Sequence, residues 1–185
     1  MEPLQSNPSE HPPKKLSPAW VAAGGIALIV LGFLGYGLLS QPATLLQPGS
    51  AVPGFQLTAL DGTAMDLTAQ QGNVVVVNFY ASWCAPCRQE AADLEAVWRD
   101  YRDQGVQFYG IAYKDAESKA QAFLDEFGVT YPSAVETGNH TARAYGVTGV
   151  PETFIVDRDG QLIQHFIGPV TREGLGETLD SLIGQ

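Results

Sequence analysis

Basic residues are scarce in this chain of 185 residues, where ten Lys and Arg stand against twenty Asp and Glu. None occurs between Lys15 and Arg88, and the part after Leu39 carries the whole net charge of −10. An acidic domain of that kind excludes nucleic acid as a partner and is repelled by anionic lipid head groups, while it stays soluble and can favour basic partners. Histidine is scarcer still, at His11, His140 and His165, and cysteine is limited to Cys84 and Cys87. Four zinc ligands cannot readily be gathered from so few, widely spaced residues, and no metal or cofactor is expected. Internal repeats and low-complexity tracts are also missing.

Charge disappears altogether from residues 19–39, AWVAAGGIALIVLGFLGYGLL. A helix of that length spans roughly 30 Å, enough for a bilayer core. Its glycines are common in transmembrane helices, and Trp20 and Tyr36 suit the two interfacial zones. A cleaved signal peptide would have a shorter apolar region, about 7–15 residues, and a small-residue cleavage site. This run instead leaves through Leu38-Leu39-Ser40-Gln41-Pro42. A buried core helix would carry a polar face. Lys14 and Lys15 lie just before the span, so the N-terminus is expected in the cytoplasm and the rest outside, the periplasmic side in a bacterium. The expected organisation is a Pro-rich disordered tail at 1–18, a single-pass anchor at 19–39, a linker at 40–49 and a domain at 50–185 in an oxidising compartment.

Within that domain, 55–58 and 64–67 flank Asp61-Gly62 and predict a hairpin. The run Val74-Val75-Val76-Val77-Asn78-Phe79-Tyr80 reads as a strand buried on both faces. A helix over 86–104 ends at Gly105, a strand follows at 106–112, and a helix over 118–127 is closed by Gly128. A short helix near 140–145, strands at 153–157 and 162–167, and a terminal helix capped by Thr171 complete the order. Hairpin, βαβα and ββα together imply an α/β fold, a mixed sheet flanked by helices.

Trp83-Cys84-Ala85-Pro86-Cys87 falls where the buried strand meets a helix. Helix N-terminal N–H groups stabilise an anion, and the thiolate is the attacking species in disulfide exchange. Cys84 is expected to be the more exposed nucleophile, with Cys87 in the first turn to resolve a mixed disulfide. A structural disulfide over so short a loop would contribute little closure entropy.

The segment Phe79-Tyr80-Ala81-Ser82-Trp83-Cys84-Ala85-Pro86-Cys87-Arg88-Gln89-Glu90 resembles the active site of the thioredoxin superfamily, specifically the membrane-tethered ResA, TlpA and CcmG (DsbE) branch. Gly149-Val150-Pro151-Glu152-Thr153-Phe154-Ile155-Val156-Asp157 supplies a second motif closest in wording to CcmG. The resemblance implies a thioredoxin-like fold over roughly residues 48–185 and a cis-proline at Pro151, with the backbone of Val150 as an edge for a substrate strand. It also implies a transmembrane thiol-electron donor and, as acceptor, apocytochrome c or the chaperone holding it. Thioredoxin has a titrating Asp at the place of Asn78; the branch resembled here has Glu at the place of Glu90.

Glu90, three residues after Cys87, is accordingly expected on the same helix face, partly buried, as an acid/base; an exposed first-turn carboxylate is the other reading. Glu152 either raises the thiol pKa values by its negative potential or is an ordinary strand-edge acid. Trp83 is expected to pack beside the dithiol and shield it, and Tyr80, Trp98 and Phe123 to be core. A reductant of protein disulfides is the favoured activity. An oxidant that forms disulfides, or a binding module with an incidental dithiol, are the rivals. A peroxidase would need Ser or Thr at the place of Ala81.

Overall fold

The computed structural model describes residues 46–184 together with Ile29, Leu31 and Gly32, which are helical. The expected tail at 1–18, nearly all of the expected anchor at 19–39 and residues 40–45 of the linker lie outside the described residues. Among the described residues no helix is long and apolar enough to cross a membrane.

Val74–Tyr80 forms the central strand β3, and all seven of its side chains are buried. Such a run of branched and aromatic residues suits a strand covered on both faces, where each buried apolar side chain contributes about 2 kcal/mol. It follows a small antiparallel hairpin, β1 (Gln56–Thr58) and β2 (Ala64–Asp66). β4 (Val106–Ala112) pairs parallel to β3, while β6 (Glu152–Val156) pairs antiparallel on its other side and carries β7 (Leu162–Ile167). β5 (Ser133–Val135) joins β4 in parallel, giving the sheet order β5-β4-β3-β6-β7. β5 is the one strand the sequence does not announce. It is three residues long, follows Pro132, and is defined by its partner rather than by a pattern of its own. Gly110 lets it dock, since a Cβ there would stand 2.3 Å from Ser133 Oγ.

Alternation along β3 divides the core. Val75, Val77 and Phe79 meet Phe55 and Met65 of the hairpin region, and Ala142 and Tyr145 in and after helix α3 (His140–Ala144). Val74 and Val76 share a cluster with Leu94 and Val97 of α1 (Ala85–Tyr101) and Leu175 and Leu179 of α4 (Arg172–Ile183). Tyr80 stacks on Phe123 of α2 (Glu117–Phe127), with ring centroids 5.0 Å apart. The mixed sheet is thus covered on both faces. Trp98 is half-buried against Phe108.

Helix ends follow the sequence. α1 passes into a tight turn at Arg102–Gln104 and stops at left-handed Gly105. Thr171 Oγ1 accepts from Gly174 N–H at the start of α4.

Candidate active site

β3 delivers the chain to one end of the sheet, where Cys84 becomes the N-cap of α1 and Pro86 occupies its first turn. Pro is tolerated there because that N–H has no helical partner. Cys84 and Cys87 are disulfide-bonded, with Cα atoms 5.3 Å apart. The Cys87 N–H donates to Cys84 Sγ at 3.1 Å, so backbone dipole already points at the sulfur that would carry charge. Cys84 is only slightly more exposed than Cys87, both being buried. Asp115, after β4, holds the approach to the dithiol by accepting from Ser82 N–H (2.6 Å) and Ser82 Oγ (3.0 Å). The sequence reading missed this brace, because nothing local links positions 33 apart.

On the other side, the Val150–Pro151 peptide bond is cis. The Val150 carbonyl oxygen lies 3.4 Å from Cys84 Sγ, a contact and not a hydrogen bond while the sulfur is in a disulfide. Pro151 O in turn accepts from Gly168 N–H, tying the segment after β7 to the same place. Trp83, directly before Cys84, is 61% exposed, with Nε1 donating to Lys114 O at 3.3 Å. It borders an open groove with Ser82, Arg88, Asp115 and Phe123.

Glu90 is 1% exposed, which removes the reading of an exposed first-turn acid. Its Oε1 accepts from Asn78 Nδ2 (3.0 Å) and its Oε2 from Val170 N–H (2.8 Å). Burial pushes its pKa up to about 7, against the opposing pull of the Val170 and Asn78 hydrogen bonds. Asn78 also donates to Thr153 Oγ1, and its Oδ1 is buried with no partner among the described residues.

Glu152 is not at a sheet edge, since β6 lies between β3 and β7. Its Oε1 accepts from the N–H groups of Thr148 (2.9 Å) and Gly149 (3.1 Å), and Oε2 meets His165 Nε2 at 2.8 Å. His165 entered the sequence reading only as a remote, non-ligating histidine. Its spacing from Glu152 carries no local signal, and only the pairing of β6 with β7 brings the two together. No group of three or more His, Cys, Asp or Glu among the described residues is arranged to hold a metal ion.

A strand-to-helix dithiol facing a cis-proline is the frame that a family model described as Redoxin covers, matching residues 47–182. The chain belongs to the Redoxin family. Among its relatives, the thiol:disulfide interchange protein HelX of Rhodobacter capsulatus is 34% identical over 167 residues, covering 84% of this chain and 92% of the relative. The thiol-disulfide oxidoreductase ResA of Geobacillus thermodenitrificans is 30% identical over 160 residues, covering 85% and 92%. Among solved structures, a thioredoxin-family thiol:disulfide interchange protein of Chlorobium tepidum aligns with a TM-score of 0.68 at 25% identity, over 76% of this chain and 99% of that one. The fold is therefore thioredoxin-like and the protein is of the ResA and CcmG kind, a thiol–disulfide oxidoreductase. Cys84 and Cys87 are its only cysteine pair.

Proposed function

We propose that this oxidoreductase reduces protein disulfides on the extracytoplasmic side of a membrane, to which residues 19–39 anchor it. The observation that carries the reading is the Cys84–Cys87 disulfide at the start of α1, with Cys84 Sγ 3.4 Å from the Val150 carbonyl beside Pro151. Chain edge and reactive sulfur stand side by side.

In the reduced enzyme the N-terminal N–H groups of α1 favour a thiolate on Cys84. That thiolate attacks one sulfur of the substrate disulfide; the substrate S–S bond breaks and its other sulfur leaves as a thiolate. Cys87, deprotonated, then attacks Cys84 Sγ, releasing the second substrate sulfur and closing the enzyme disulfide. The substrate gains two electrons and takes up two protons, and the enzyme loses the two electrons. Glu90 lies on the Cys87 face of α1 with a pKa raised to about 7, and in this reading it accepts the Cys87 proton. Asn78 orients it and does not titrate. Trp83 and the backbone of Val150 line the substrate strand.

The two electrons return from a membrane thiol carrier, which an anchored enzyme is well placed to meet. The Pro151-Glu152-Thr153-Phe154 wording and the acidic domain support apocytochrome c, or its chaperone, as the acceptor. Cys87→Ser tests the scheme. It should accumulate a mixed disulfide through Cys84, and Cys84→Ser should form none. Activity surviving in Cys84→Ser would make the protein a binding module instead.

A further inference from the structure

His165 is a half-buried side chain with no task in the exchange chemistry, yet it is fixed from two directions. Its ring lies parallel to Phe154, its cross-strand neighbour on β6, at 4.0 Å between centroids and 13° between planes. Its Nε2 meets Glu152 Oε2 at 2.8 Å, with His165 15% and Glu152 3% exposed at the side chain. No other donor to Oε2 is present among the described residues. The opposite oxygen, Oε1, takes the Thr148 and Gly149 N–H groups, with Thr148 Oγ1 at 3.4 Å. A carboxylate gripped on one oxygen alone can swing about its terminal torsion, whereas one gripped on both cannot. The contacts therefore run from His165 through Glu152 to 148–149, and on to the Val150 carbonyl 3.4 Å from Cys84 Sγ.

We propose that His165 is a positioning residue for peptide substrates: by locking Glu152 it fixes the 148–150 segment against which a substrate strand aligns beside Cys84. The inference rests on the reading of Val150 as the substrate edge. It separates two kinds of disulfide. A peptide disulfide must lie along 148–150 before exchange, and so depends on His165. A small aromatic disulfide needs only access to the Cys84 thiolate.

The full chain in detergent, reduced beforehand and in excess of neither substrate, is assayed in single turnover with a short synthetic peptide closed by an internal disulfide and with 5,5′-dithiobis(2-nitrobenzoate), KM and kcat being the half-saturating disulfide concentration and the limiting rate of enzyme oxidation. In His165→Leu the KM for the peptide should rise about tenfold, the scale of leaving a buried charged acceptor short of a partner, with kcat little changed. The rate with the small disulfide should stay within about twofold. His165→Gln supplies an amide N–H that reaches Oε2 and should restore the peptide KM. Where His165→Leu does not accumulate folded, His165→Asn, polar but too short to reach, carries the same expectation. An unchanged peptide KM in His165→Leu, or an equal loss on both disulfides, would overturn the proposal. Failure of the unmutated chain to reduce the peptide, or reduction by Cys84→Ser, would instead break the reading of the site on which it rests.

Discussion

Glu90 and Glu152 are almost equally buried at the dithiol end of the sheet, yet they are held in opposite ways. Glu90, on the helix that carries Cys87, has one donor for each oxygen, Asn78 Nδ2 and the Val170 N–H. Desolvation outweighs those bonds, and its pKa is raised to about 7. Glu152, on the opposite face, gathers two backbone N–H groups, a hydroxyl and an imidazole, and so knots together the segment before Pro151 with β7. Burial alone does not define a carboxylate's work. A sparsely bonded one can exchange a proton; a saturated one holds backbone in place.

The comparison is broken most directly by removing each acid. Glu152→Leu strands His165 and the two loop N–H groups, and should cost about 4 kcal/mol of stability in chemical denaturation. If Glu152→Leu cost less than Glu90→Gln, the assignment of anchor and proton exchanger would be reversed.

Next in size is the pH dependence of stability. Burial raises the Glu90 pKa from its ordinary value of 4.5 in the unfolded chain to about 7 in the folded one, so between those values the native state binds more protons. Its contribution is fully present below about pH 4.5 and is lost as pH rises through about 7. The loss should be about 3 kcal/mol, read as a falling denaturation midpoint of the oxidised chain, and Glu90→Gln should flatten that slope. A slope surviving in Glu90→Gln would assign it to another group.

Kinetics sharpen the same point. Glu90→Gln should slow release of substrate from the mixed disulfide by about a hundredfold and remove the inflection near pH 7 from its rate profile. The smallest effect is expected from Asn78→Ala, which deletes one of the two bonds favouring the ionised form. It should move that inflection upward, with the maximal rate preserved.

Much of this was legible beforehand where the signal is local. The Val74–Tyr80 run, the glycine stops at Gly105 and Gly128, the Thr171 cap and the strand-to-helix junction at Cys84 each carry their physics in adjacent residues. The spacing of Glu90 from Cys87 put the two on one helix face, but its burial came only from the resemblance, with an exposed acid as the alternative. Illegible were the features that exist only after folding. β5 needs Gly110 across from Ser133, Asp115 reaches Ser82 from another loop, and His165 meets Glu152 through strand pairing. The exposure of Trp83, which borders the groove with Ser82, Arg88, Asp115 and Phe123, likewise carries no local signal in the sequence.

The central claim is that Cys84 and Cys87 form a reducing couple, and the reduction potential of the full chain tests it most directly. Equilibration against dithiothreitol or glutathione, with the free thiols of Cys84 and Cys87 quantified, should give a value near or below about −270 mV. A value toward about −120 mV would contradict the account and make the same site an oxidant.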